Sequence, residues 1–197
     1  MYKKSFFKLS AFAFVAIVAA MLTVASCNKE EQTVTPAPPG NEFLTTTILT
    51  CINSSAPFDT VIGTWRDLTP EDTLPPDTSQ AILNLKKNSV YNVSIGLLDE
   101  TTNPAGDIGA DVLSRGNYHL FCFNTSSSLG NNFSITRTDH DTNNPPLAIG
   151  LKNNFTTINT SIGTLEVILR HQPNVKNGSC DPGSTDLDVN FQVNVIN

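Results

Sequence analysis

A mostly β fold is what residues 42–197 predict: two antiparallel sheets packed as a sandwich, immunoglobulin-like or jelly-roll-like in type, with a closed barrel as the alternative. Three observations carry this expectation. The C-terminal run alternates without a break, Leu187, Val189, Phe191, Val193 and Val195 facing one way and Asp186, Asp188, Asn190, Gln192 and Asn194 the other. Similar short runs, about nine in all, recur between clusters of Gly, Pro, Asn and Asp. Long stretches of Ala, Glu, Lys and Leu are absent, while Thr, Ser and Asn abound, which is the composition of strands and turns.

The chain opens with Lys3, Lys4 and Lys8 and then runs apolar or small as far as Val24. That is the pattern of a secretory signal, with an apolar run too short for a comfortable membrane span. Ala25 and Ser26 before Cys27 resemble a bacterial lipobox, in which the thiol is diacylated and cleavage leaves Cys27 as the first residue. Two or three acyl chains anchor firmly, because each buried methylene contributes about 0.8 kcal/mol. An ordinary secretory signal with Cys27 as a bystander is the other reading. Lys29-Glu30-Glu31 is similar to the export signal that sends Bacteroidota lipoproteins to the outer face of the outer membrane, although a solvated charge cluster would look the same. Residues 28–41, with Pro36, Pro38, Pro39 and Gly40, read as a tether that fully extended spans roughly 45 Å. The expected organisation is therefore a signal over 1–26, a lipidated Cys27 and tether over 27–41, and one domain over 42–197.

Of 197 residues, 12 are Lys or Arg and 18 are Asp or Glu, a net charge of −6. Losing the three signal lysines takes this to −9, which argues against nucleic acid as a partner. With Cys27 committed to lipid, Cys51, Cys122 and Cys180 remain. One disulfide plus a free thiol, or no disulfide, both fit this odd number, and Cys122, among Leu120, Phe121 and Phe123, reads most simply as a small buried hydrophobe.

In the first run, Leu44, Ile48 and Ile52 are expected to share the inward face. Residues 58–68 make a second strand containing Trp65, and 70–79, with Pro75-Pro76, a loop. Leu83 and Leu85 mark a third strand, and Tyr91, Val93, Ile95 and Leu97 a fourth, joined by a hairpin turn over 86–89. At most one short helix is expected, within 104–115, where Ile108 and Val112 lie four apart behind Asp107. Further strands are expected over 118–123, 133–137, 147–151 and 163–171, before the C-terminal one.

Two histidines invite a metal or haem hypothesis. His119 shares a strand face with Phe121 and Phe123, and His171 with Leu165, Val167 and Leu169. Imidazoles at the ends of apolar strand faces could ligate a transition metal or clamp a haem iron. Yet no HxH or HExxH spacing supports ligation, and the plainer reading has each ring closing a core edge through a hydrogen bond. Asp139, Asp141 and Asn143 stand at alternate positions, as calcium ligands do. Asn144 occupies the position that usually needs Gly, Pro145 and Pro146 follow, and no glutamate completes the set, so a polar loop is the expectation. Asp186 and Asp188 share that spacing on a solvent face. No GxSxG, phosphate-binding Gly loop or recognisable carboxylate pair is present, and a catalyst, for instance one acting on glycans, ranks last. Asn-x-Ser/Thr triplets such as Asn92-Val93-Ser94 follow from composition, while Asp59-Thr60-Val61 and Asp72-Thr73-Leu74 look like the O-glycosylation triplet of Bacteroidota secreted proteins.

Thr136-Arg137-Thr138-Asp139, Leu169-Arg170-His171-Gln172-Pro173 and Ser184-Thr185-Asp186-Leu187-Asp188-Val189 together resemble a group of small Bacteroidota lipoproteins carrying the label "type 1 periplasmic binding fold superfamily". A fold of that name needs two α/β lobes, for which this chain has neither helices nor length. The resemblance implies association with the cell envelope, near TonB-dependent uptake receptors, and supplies no catalytic residues. The expectation is a lipid-anchored, surface-exposed accessory or binding protein without catalysis. Metal or haem capture by His119 and His171 is the alternative.

Overall fold

The computed structural model describes residues 43–70 and 74–197. The signal, Cys27, the tether and most of the Asp72-Thr73-Leu74 triplet lie outside them. The elements are β1 (Thr46–Asn53), β2 (Thr60–Arg66), β3 (Asp77–Gln80), β4 (Ile82–Lys86), β5 (Ser89–Asp99), β6 (Gly106–Asp107), helix α1 (Ile108–Ser114), β7 (His119–Thr125), β8 (Phe133–Arg137), β9 (Lys152–Thr157), β10 (Ser161–His171) and β11 (Ser184–Ile196). One sheet runs β3-β2-β1-β5-β9-β8 with β6 added to β5, and the other runs β4-β11-β10-β7. The chain is thus mostly β, in two sheets with one short helix among the described residues, as the alternating runs predict.

The core lies between the sheets. Leu49, Cys51, Tyr91, Val93, Leu97 and Phe155 from the larger sheet meet Leu83, Leu165, Val167, Leu169, Phe191 and Val193 from the smaller. The approach is close at Gly63, where a Cβ would stand 2.8 Å from Leu83 Cδ2 and 3.2 Å from Phe191 Cδ1. Helix α1 forms where expected: the Asp107 side chain accepts from Ala110 N at 3.0 Å as the N-cap, and Val112 is fully buried.

Several expectations fail for identifiable reasons. Ile48 and Ile52 face outward, because Thr45, Thr47, Leu49 and Cys51 take the inner face; Thr45 hides its hydroxyl by donating to Leu98 O at 3.1 Å. β4 and β5 are not a hairpin but belong to different sheets, and β4 pairs parallel with β11, whereas the other ladders are antiparallel. The two residues between them therefore turn a corner of the sandwich, with Asn88 at φ 50°. β3 lies in the expected loop as a fully exposed edge strand, so no alternation betrays it. Residues 147–151 form no strand: they cross between sheets, bonded to both by Ile149 O accepting from Phe121 N at 2.7 Å and Leu151 O accepting from Ile95 N at 2.9 Å. The strand follows as β9, whose inward residues are Asn153, Phe155 and Thr157.

Candidate functional site

His119 and His171 come together. They are directly opposed in the β7–β10 register, and their rings stack with centroids 5.0 Å apart at 15°. Both are buried, at 1% and 6% exposure. Nδ1 of His119 lies 3.1 Å from the Arg115 carbonyl, which assigns the proton to that nitrogen. Burial pushes this imidazole down to about 4; the bond to Arg115 opposes the shift, and the charges of His171 and Arg115 add to it. The ring is neutral at pH 7. Its Nε2 stands 3.7 Å from Asp186 Oδ2, too far for a hydrogen bond, and neutrality removes the ionic attraction.

Asp186 is the residue that the alternation misplaces. Its side chain is only 7% exposed rather than solvent-facing. The register of β10 against β11 shifts at Leu169/Arg170, one residue before His171, and this bulge turns the ladder's end inward. Burial raises the Asp186 carboxyl above the usual range, with His171, Arg115 and Arg170 pulling it back. Among the described residues neither His171 Nε2 nor Asp186 Oδ2 has a hydrogen-bond partner. Among the described residues, however, no three His, Cys, Asp or Glu side chains converge as a ligand set. Stacked rings also leave no space for a porphyrin between them.

The calcium candidates are taken up by the chain itself. Asp139 accepts from Gly150 N at 2.8 Å and Leu151 N at 3.0 Å, closing the 139–151 loop with both oxygens. Asp141 accepts from Leu147 N at 2.8 Å and Asn143 N at 3.0 Å through Oδ1, and from Asn143 Nδ2 at 2.9 Å and Lys176 Nζ at 2.7 Å through Oδ2. Lys176 also donates to Gly116 O at 2.8 Å. The Lys176 and Asp141 side chains are 2% and 0% exposed. Burial alone would raise Asp141, but Lys176 and the two backbone donors outweigh it and hold the carboxyl below its usual value; on Lys176 burial wins, and its pKa falls.

This pair ties three loops together at the β7/β10 end of the sandwich. They are the 3-10 turn Gly116–Tyr118, the loop after β8 and the loop after β10. Asn117 Oδ1 accepts from Thr142 N and Oγ1, both at 3.0 Å, and Gln172 N donates to Tyr118 O at 2.6 Å. The result is an open cleft of about 640 Å³ lined by Asn117, Tyr118, Asn143, Asn144, Asn174 and Asn177, with Pro145 and Leu147 contributing apolar surface. Sequence reasoning missed it, because five asparagines spread over 61 positions form no motif. A smaller crevice of about 220 Å³ opens between the edge strands β7 and β8, where Arg137 sits 5.5 Å from the Phe123 ring centre.

Cys122 is not a free hydrophobe: it is bridged to Cys180, tying β7 to the loop before β11, while among the described residues Cys51 is a buried free thiol. Burial pushes the Cys51 pKa up to about 12, leaving it unreactive. No protein-family model matches the chain, and no curated protein matches it in sequence.

Proposed function

We propose that this protein is a lipid-anchored binding or accessory subunit of the outer membrane, held through Cys27 with its domain facing outward, and working beside TonB-dependent uptake receptors without catalysis. The cleft is the observation that carries the binding role. Three loops distant in sequence are fixed by a buried ion pair into a preformed concave surface of ligand size. The lipobox and tether support the anchored part. Fractionating cells that carry wild type or Cys27→Ala tests it: the variant should leave the outer membrane, and unchanged retention would overturn the anchored reading.

A second reading, transition-metal capture, draws on the juxtaposed His119 and His171 and on the unpartnered His171 Nε2 and Asp186 Oδ2. It requires Asp186 to move toward the rings as a third ligand. Zinc and copper titrations of wild type, His119→Ala and His171→Ala would test it. Binding lost in both variants would favour capture, and no binding in wild type would end it.

A further inference from the structure

The geometry points to a neutral saccharide as the ligand of the cleft, an inference that rests on the binding role proposed above. Charge decides the class first. The cationic lining residue, Lys176, is buried and neutralised by Asp141. The rest of the lining is carboxamide, phenol and apolar surface, so neither an anionic nor a cationic ligand meets an exposed counter-charge. The net charge of −6 further disfavours polyanions.

Hydrogen-bonding capacity then narrows the choice. Asn117 spends its Oδ1 on Thr142 and leaves Nδ2 to donate. Asn177 spends its Oδ1 on Ser179 N at 2.9 Å and likewise leaves Nδ2. Asn143 gives an Nδ2 proton to Asp141 and leaves Oδ1 to accept. These partners, two backbone N–H groups and one carboxylate, fix which end of each amide faces the cleft. Asn144 and Asn174 are exposed and make no side-chain hydrogen bond among the described residues, so each offers a whole carboxamide. The surface thus presents donors and acceptors side by side without charge. Vicinal hydroxyls, each able to donate and accept, match that pattern; a carboxylate or phosphate, which only accepts, would waste half of it.

Apolar surface completes the match. Tyr118, Pro145 and Leu147 line the same cleft, and sugar rings carry C–H faces that pack on such surfaces while their hydroxyls reach the amides. A volume of about 640 Å³ accommodates a short oligosaccharide.

The test uses the full chain purified in detergent and calorimetric titration with maltohexaose, cellohexaose, xylohexaose and mannohexaose. Polygalacturonate, heparin and chitosan oligomers serve as charged comparators. The double variant Asn144→Ala/Asn174→Gly removes two exposed amides, glycine keeping the φ of 61° at position 174, and a wild-type circular dichroism melt would verify its folding. At least one neutral oligosaccharide should bind in preference to every charged polymer, with affinity falling tenfold or more in the double variant. No neutral oligosaccharide binding, preference for a charged polymer, or neutral binding untouched by the double variant would each overturn the inference. Cys27→Ala fractionation is independent of these titrations, so a failed ligand class and a failed anchor are told apart.

Discussion

Acid should unfold this domain through His119. The folded imidazole titrates at about 4, against about 6.5 in the unfolded chain. Above pH 6.5 the ring is neutral in both states and contributes no pH dependence. As pH falls through 6.5, the unfolded chain takes up the proton first, so unfolding becomes progressively easier until the folded ring also titrates near 4. A difference of about 2.5 pH units at about 1.4 kcal/mol each gives a loss of about 3.5 kcal/mol across that window. Asp186 works the other way. Its raised carboxyl binds a proton in the folded state first, so its contribution favours the fold at low pH and is lost as pH rises through the folded value. Urea unfolding from pH 7.5 to 3.5 should therefore be compared among wild type, His119→Phe and Asp186→Asn. Wild type should lose stability between pH 6.5 and 4, His119→Phe should flatten that slope while keeping a ring against His171, and Asp186→Asn should steepen it. A His119 titration by NMR near 6.5, or a slope that survives His119→Phe, would refute the reasoning.

Other outcomes follow from single contacts. The Cys122–Cys180 bridge closes a separation of 58 residues, so on the chain-entropy estimate Cys122→Ala/Cys180→Ala should cost about 4 kcal/mol, read from urea midpoints without reductant. Asp107→Ala removes the cap of α1 and should cost about 1 kcal/mol in thermal denaturation, with Asp107→Ser recovering most of it. Gly183 sits at φ 86°, and a Cβ there would stand 2.1 Å from the His171 carbonyl oxygen. Gly183→Ala should accordingly lower the melting temperature far more than Gly130→Ala, whose Cβ meets nothing within 4 Å.

The fold was legible wherever one face of a strand is apolar. Leu187 to Val195 and Leu165 to Leu169 alternate because water lies on one side of the sheet and the opposite sheet on the other, and both runs are buried as read. Alternation reports a face and never a partner, so it could not show that β4 joins β11 in parallel while β5 returns to the larger sheet beside β1. Nor does it see strands with little apolar content: β3 is exposed throughout, and β9, with Phe155 as its one apolar residue, also buries Asn153 through a bond from its Nδ2 to Gly150 O at 2.7 Å. Just before β1, Thr45 enters the core by donating its hydroxyl to Leu98 O, and with Thr47, Leu49 and Cys51 on the same face Ile48 and Ile52 are left outside, which hydrophobicity alone would not rank.

The histidine pair was legible as two strand-end residues, but the face-to-face stacking and the inward turn of Asp186 depend on a bulge that leaves no trace in composition. The cleft was hidden for a different reason. Asparagines in loops are ordinarily turn formers, and only the meeting of three loops brings these into one cleft. What holds those loops is an ion pair, and stability is a poor account of it, since a buried pair seldom outperforms neutral residues of the same shape. Lys176→Gln/Asp141→Asn keeps the shape and the acceptor for Leu147 N while discarding both charges, and should remain within about 1 kcal/mol of wild type. Lys176→Met alone strands a buried carboxylate and should cost about 3 to 5 kcal/mol. If the pair instead serves to position the loops, hydrogen exchange at Asn143 and Leu147 should quicken in the double variant despite its near-native urea midpoint. Unchanged exchange there would mean that the loops hold their places without the charges, and that the cleft owes its shape to the Asp141 and Asn117 hydrogen bonds alone.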